Sequence, residues 1–80
     1  MTTLSIEDFL AELGPVLQGE TPVTLSPETV FRELPAWDSV AVLAVLAVVD
    51  GCFGVQLSAA DLNRCRTVAD VYRLAVAKAG

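Results

Sequence analysis

Asp38-Ser39 is the residue pair in this sequence with the most chemistry to offer. A serine hydroxyl becomes a nucleophile when a neighbouring base takes its proton. Histidine, the usual base, is absent from all 80 residues. No Gly-x-Ser-x-Gly elbow surrounds Ser39, and neither Lys78 nor any arginine stands in a sequence relation that suggests a dyad. A hydrolytic role for Ser39 is therefore poorly supported. Cys52 and Cys65 are the only two cysteines, so a closed zinc site of Cys and His is excluded. They read as two free, partly buried thiols in a reducing compartment. One chemistry suits Ser39 well, which is carrying a phosphodiester. A helix N-terminus offers free backbone N–H groups and the positive end of a dipole, both of which favour a phosphate. An exposed primary hydroxyl modified by another enzyme needs no base of its own.

That reading requires a helix beginning at Ser39, and the run that follows supplies one. Between Asp38 and Asp50 lie eleven uncharged residues, ten of them Val, Ala or Leu. The run predicts a helix from about Ser39 to Phe53, with Gly54 as its left-handed C-terminal cap. At its start either Asp38 or Ser39 is the N-cap. At about 100° per residue, Val42, Val45, Leu46, Val49 and Phe53 fall together. Val40, Ala44, Ala47 and Gly51 fall opposite, flanked by Ala41 and Val48. The helix is thus amphipathic in volume, and its bulky face is the expected core. Its small face is either an open docking strip or a surface covered by a neighbouring helix or a second copy.

Three stretches place a capping hydroxyl three residues before a carboxylate, namely Ser5/Asp8, Ser58/Asp61 and Thr67/Asp70. Each predicts a helix start. The first helix carries Ile6, Phe9, Leu10, Leu13 and Leu17 as its apolar stripe. Gly14-Pro15 either stops it near Leu13 or kinks it for one more turn. Residues 19–36 read as a long loop broken by Pro22, Pro27 and Pro35, with Val30, Phe31 and Leu34 pinning it. Ser26-Pro27 is a candidate start for a helical turn within it. Val55-Gln56-Leu57 is a linker, a brief third helix follows Ser58, and a fourth follows Thr67 with Val68, Val71, Tyr72 and Ala75 inward. No strand signal competes. The prediction is a single all-α domain over residues 1–80, a four-helix bundle with a long first loop and a short third helix.

The totals narrow the partners. Ten acids against five bases give a net charge of −5, which disfavours nucleic acid. Residues 1–50 hold eight acids and one base, Arg32, so basic partner surfaces should prefer that half. Arg64 and Arg66 beside the third helix are either a partner contact or a solvated basic patch, with the patch favoured. With no signal peptide visible, and an apolar run about half the roughly 20 residues that span a bilayer, a soluble cytoplasmic protein with no membrane partner is expected.

The ordered set Phe31-Arg-Glu-Leu34, Trp37-Asp38-Ser39-Val40, Phe53-Gly54-Val55, Asp61-Leu62 and Thr67-Val68 resembles the acyl carrier protein family. The resemblance covers most of the chain, from the first helix to the fourth. It implies a non-catalytic carrier whose Ser39 receives 4′-phosphopantetheine from coenzyme A through a phosphopantetheinyl transferase. The arm's thiol would then hold acyl, aminoacyl or polyketide intermediates as thioesters. The further partners implied are a loading ligase or acyltransferase and a ketosynthase or other cargo-processing enzyme. Asp38 matches the family's acidic residue before the serine, implied to help dock the transferase or its metal ion. Val40 matches an apolar position that contacts partners.

The departures are as informative. Carriers of fatty-acid synthesis resemble one another in an acid-studded second helix. Here Ala41, Ala44, Ala47 and Gly51 take the outward positions, implying docking by shape and apolar contact. Trp37 replaces a small residue and is either a plug over the loop or a partner contact, with its large apolar area favouring the plug. The Gly-Gly-His-Ser pattern of many peptidyl carriers is absent. Together these point to a stand-alone carrier of a specialised pathway. The competing reading is a small helical adaptor that binds a partner through the small face, with Ser39 only a helix cap.

Overall fold

The computed structural model describes residues 4–17, 24–34 and 37–79. The described residues form four α-helices: α1 (Ile6–Leu17), α2 (Ser39–Phe53), α3 (Ala59–Asn63) and α4 (Val68–Ala79). Among the described residues between α1 and α2 there is one 3-10 turn, Phe31–Glu33. The all-α bundle with a brief third helix is the predicted architecture. Pro22 and Pro35, expected as breakers, lie outside the described residues.

α1 runs through Pro15 to Leu17, the longer of the two predicted courses. Proline removes one helical hydrogen bond, but burial of Leu13 and Leu17 on either side of it holds the last turn in place. α1 packs on α2 and α4, and α2 packs on α3 and α4. The junction of the three long helices is aromatic. Phe9 of α1 meets Phe53 of α2 edge-on at 5.5 Å, and both meet the Tyr72 ring of α4, at 6.0 and 5.8 Å. The Tyr72 hydroxyl leaves this apolar centre and donates to the Leu4 carbonyl at 2.6 Å, so its polar end is satisfied.

The described part of the first loop is held by backbone as well as by side chains. The carbonyls of Thr29 and Pro27 accept from the Val68 and Ala69 N–H groups at 3.0 and 2.9 Å. Those donors belong to the first turn of α4 and have no partner within the helix, so the loop satisfies the helix start. An isolated antiparallel bridge joins Val30 to Thr67. Ser26-Pro27 opens a hydrogen-bonded turn rather than a helix. The Ser26 N–H donates to Thr29 Oγ1 at 2.8 Å, and the helical turn forms later, at Phe31.

Two of the three predicted capping boxes close fully. Ser58 and Asp61 exchange bonds at 3.0 and 3.1 Å, and Thr67 and Asp70 at 3.1 and 3.2 Å. In the first, Ser5 Oγ accepts from the Asp8 N–H at 3.2 Å. Asp70 also accepts from the Arg66 N–H and from Arg73. The Thr67 N–H, then the Arg66 N–H and the Arg73 guanidinium, stabilise its ionised form and pull its pKa to about 2, from an ordinary 3.8. A depressed carboxylate stabilises the fold above its unfolded pKa, and that contribution is lost as pH falls through the folded value. The carboxylate is solvent-accessible, so its worth is discounted to about 1 kcal/mol, the scale of a single cap. The stability deficit of Asp70→Ala, measured by urea unfolding, is therefore expected to be full near neutrality and to shrink between pH 4 and pH 2. A deficit that stays constant across that window contradicts this assignment.

Candidate functional site

Ser39 stands where the loop ends and α2 begins. Asp38 is the N-cap, with extended backbone, and its carboxylate accepts from the Ala41 N–H at 2.8 Å. Its carbonyl accepts the first helical bond, from Val42, at 3.1 Å. Ser39 is thereby the first helical residue and is exposed. Of the two capping candidates, the structure selects Asp38. This removes the basis for reading Ser39 as only a cap, because its hydroxyl has no capping bond among the described residues.

The surroundings suit a phosphate ester. The N–H groups of Ser39 and Val40 meet no acceptor among the described residues and point along the positive end of a 15-residue helix. A long tether attached to an exposed hydroxyl needs no pocket, and Ser39 is exposed. Asp38 brings a like charge alongside, but it is exposed, so water screens it.

Behind the site stands Trp37, the only tryptophan. It is half-buried, and its ring meets Phe31 edge-on at 4.9 Å. It packs against the core cluster, as the plug reading expects. Phe31 is itself buried, so the segment before Ser39 is anchored in the core.

The outward face of α2 differs in part from the predicted one. Val40 is 70% exposed, and Ala47 and Gly51 are exposed with it. Ala44 is half-buried. Ala41 is 4% exposed and belongs to the core, a correction to its expected outward place. It heads the line Ala41, Val45, Val49 and Phe53, spaced by four, that α2 buries. Leu43 was missed by the reading of volume. It is 67% exposed, beside Val40. Side-chain volume misled at both positions, because an alanine also serves where the backbone packs closely and leaves no room for more. The sequence signal for Leu43 was present in its angular position, which at about 100° per residue lies between Asp50 and Ala47 on the helix.

Two residues on this outward face work against the helix that carries them. Gly51 is exposed and helical, without positive φ, and a Cβ there would meet nothing within 4 Å. Glycine in a helix interior costs about 1 kcal/mol relative to alanine. Asp50 is exposed in the last turn, where a negative charge faces the negative end of the dipole. No ion pair relieves it among the described residues. Gly54 is different, because its φ of 69° and ψ of 24° are left-handed and its N–H closes on the Asp50 carbonyl at 2.9 Å. There the fold itself requires glycine. Gly51→Ala is expected to raise stability by about 1 kcal/mol in chemical denaturation. No gain, or a loss, shows that the fold itself uses the missing side chain.

The remaining candidates fall away from Ser39's helix start. Cys52 is half-buried and Cys65 buried, and burial pushes both thiols up, so neither is poised as a thiolate. Arg64 and Arg66 are exposed at the end of α3. No helix among the described residues is long and apolar enough to cross a membrane.

A family model described as "Phosphopantetheine attachment site" matches residues 7–75 of this chain. No curated protein and no solved structure matches it significantly.

Proposed function

The chain belongs to the phosphopantetheine attachment-site family and is a carrier for a phosphopantetheine arm, and from that premise we propose that the Ser39 hydroxyl is the point of attachment. The observation that carries the assignment is the division of labour at the start of α2. Asp38 does the capping, which leaves Ser39 exposed and helical, with no side-chain hydrogen bond among the described residues. Attachment joins Ser39 Oγ to the pantetheine phosphate in a phosphodiester as the pyrophosphate bond of coenzyme A breaks, releasing adenosine 3′,5′-bisphosphate and the hydroxyl proton, with a phosphopantetheinyl transferase as catalyst. Once attached, the arm supplies a terminal thiol able to hold an acyl, aminoacyl or polyketide chain as a thioester.

The chain's own residues then present and deliver. The proposal is that the protein is non-catalytic and raises the effective concentration of a tethered cargo at successive enzymes. These are a loading ligase or acyltransferase, followed by a ketosynthase or another cargo-processing enzyme. Val40, Leu43, Ala47 and Gly51, with the half-buried Ala44 at their edge, form the face proposed to meet them. Exposed apolar residues on such a face favour contact by shape. The costs accepted at Gly51 and Asp50 support a role outside the fold, since stability alone would select against both. Asp38 and Asp50 bracket the apolar strip and favour a partner surface with a basic rim. The weak acidity of the strip itself favours a specialised pathway over housekeeping fatty-acid synthesis.

The test is intact mass after incubation with coenzyme A and a transferase of broad specificity. A gain of one phosphopantetheinyl group is expected. No gain with several transferases overturns the assignment.

A further inference from the structure

Arg32 has no place in the site described so far, yet it reaches further across the sequence than most side chains here. Its Nη2 donates to the Leu62 carbonyl at 2.9 Å, thirty residues on, at the end of α3. The guanidinium also lies over the Phe31 ring, with Cζ 5.4 Å from the centroid. Phe31 in turn meets Trp37 at 4.9 Å, and the Trp37 N–H donates to the Leu34 carbonyl at 3.0 Å. Asp38 and Ser39 follow directly in the chain. A continuous set of contacts thus runs from the last turn of α3, through Arg32, Phe31 and Trp37, to the start of α2.

α3 needs such a tie. Five residues make barely more than one turn, too short to persist without tertiary support. Its support includes packing on α2, buried Leu62, the Ser58–Asp61 box, the Cys65 N–H bond to the Leu62 carbonyl at 3.0 Å, the Asp61–Lys78 pair at 4.0 Å and the Arg32 bond. Of these only Arg32 comes from the segment that leads to Ser39. A guanidinium is suited to the position because its planar fork donates to the carbonyl while its face rests on an aromatic ring.

We propose that Arg32 is a positioning residue for the modification of Ser39, fastening the end of α3 and the Trp37 approach into one surface that the modifying enzyme engages. The proposal rests on Ser39 being the attachment point. Without the bond, the segment before Ser39 and α3 stay linked through α2 packing and the loop's bonds to α4 but are held less firmly, so the enzyme must order them further on binding. That cost falls on association and leaves the chemical step intact, because the Asp38 cap and the first turn of α2 are untouched.

The test uses the full chain carrying Arg32→Met, which keeps the apolar stem and removes the donors, and Arg32→Lys, which returns a cation and a donor. In the Met variant, Trp37 is expected to become about twofold more accessible to acrylamide. The KM for the carrier in transferase loading should rise about tenfold, with kcat within about twofold, which is the signature of lost binding rather than lost chemistry. Arg32→Lys should bring KM part of the way back. If Arg32→Met does not fold, Arg32→Lys alone decides, with a KM above wild type at unchanged kcat. An unchanged KM in both variants, or a fall confined to kcat, overturns the proposal. If wild type itself takes up no phosphopantetheine, the attachment reading has failed. Trp37 quenching in Arg32→Met then judges the fastening on its own, and an unchanged value overturns it.

Discussion

Ser39→Ala is expected to abolish the mass gain on incubation with coenzyme A and transferase, completely, while leaving the fold in place. The two halves of this result come from different atoms. Loading needs an oxygen at position 39 to form the bond to phosphorus, and alanine has none, so no residual rate remains. The fold needs a cap at position 38, and the Asp38–Ala41 bond of 2.8 Å survives the change. Ser39 is exposed, and alanine is the better helix former, so the stability change should stay within about 0.5 kcal/mol. Circular dichroism melting of Ser39→Ala beside wild type checks the second half. Were Ser39 the cap, its loss would cost about 1 kcal/mol, and the melt would show it. Asp38→Asn extends the comparison, since asparagine caps as well as aspartate but carries no charge. Any loading defect in that variant measures the carboxylate's role in meeting the transferase, separated from its role in the helix.

Most of this fold was legible because its helix starts are written locally. A hydroxyl three residues before a carboxylate is a short-range code, and Ser58/Asp61 and Thr67/Asp70 both close as written. Gly54 was readable for the same reason, since a glycine just after an apolar run has one common use there. Phe31 and Leu34 were readable as pins because large apolar residues in a polar loop have to go somewhere. Ser39 stood out because the chain offered it no base and no competing chemistry.

What escaped depended on tertiary facts. The choice between Asp38 and Ser39 as cap turns on one backbone conformation, and both residue types are strong caps. The orientation of α2 was harder still. A helix with no charge before its last turn carries no polar stripe to mark its outside, so volume was the main remaining guide. Volume fails when a core position is filled by alanine and an outer one by leucine, and Ala41 and Leu43 are that case. The loop's backbone bonds to α4 have no sequence signature, because carbonyls are the same in every residue. The Arg32–Leu62 bond was unreadable for a related reason, since its acceptor is a main-chain oxygen thirty residues away.

Two alanines on α2 turn the orientation into a measurement. Ala41→Glu is expected to destabilise the domain severely, and Ala47→Glu to leave it stable but poorly recognised. Ala41 is 4% exposed within an apolar cluster that includes Val45, Val49 and Phe53. A glutamate there must either bury a charge without a partner or force the helix away, at a cost of about 3–5 kcal/mol. A domain this small has a total stability of roughly 4–12 kcal/mol, so a quarter or more of its folded margin is consumed. Ala47 is exposed, and the same substitution there should shift stability by no more than about 0.5 kcal/mol. If the outward strip meets partner enzymes by apolar contact, the new carboxylate has to be desolvated on docking. The kcat/KM of carrier-dependent steps should then fall about tenfold or more, equivalent to ~1.4 kcal/mol. The half-buried Ala44 makes a less decisive site, since packing and docking effects mix there. Thermal melting and the rate of a carrier-dependent step, measured on both variants, separate the two roles of the helix. An unfolded Ala47→Glu places that residue in the core and removes the docking strip. A folded Ala47→Glu with wild-type rates leaves the strip intact but moves recognition to another face.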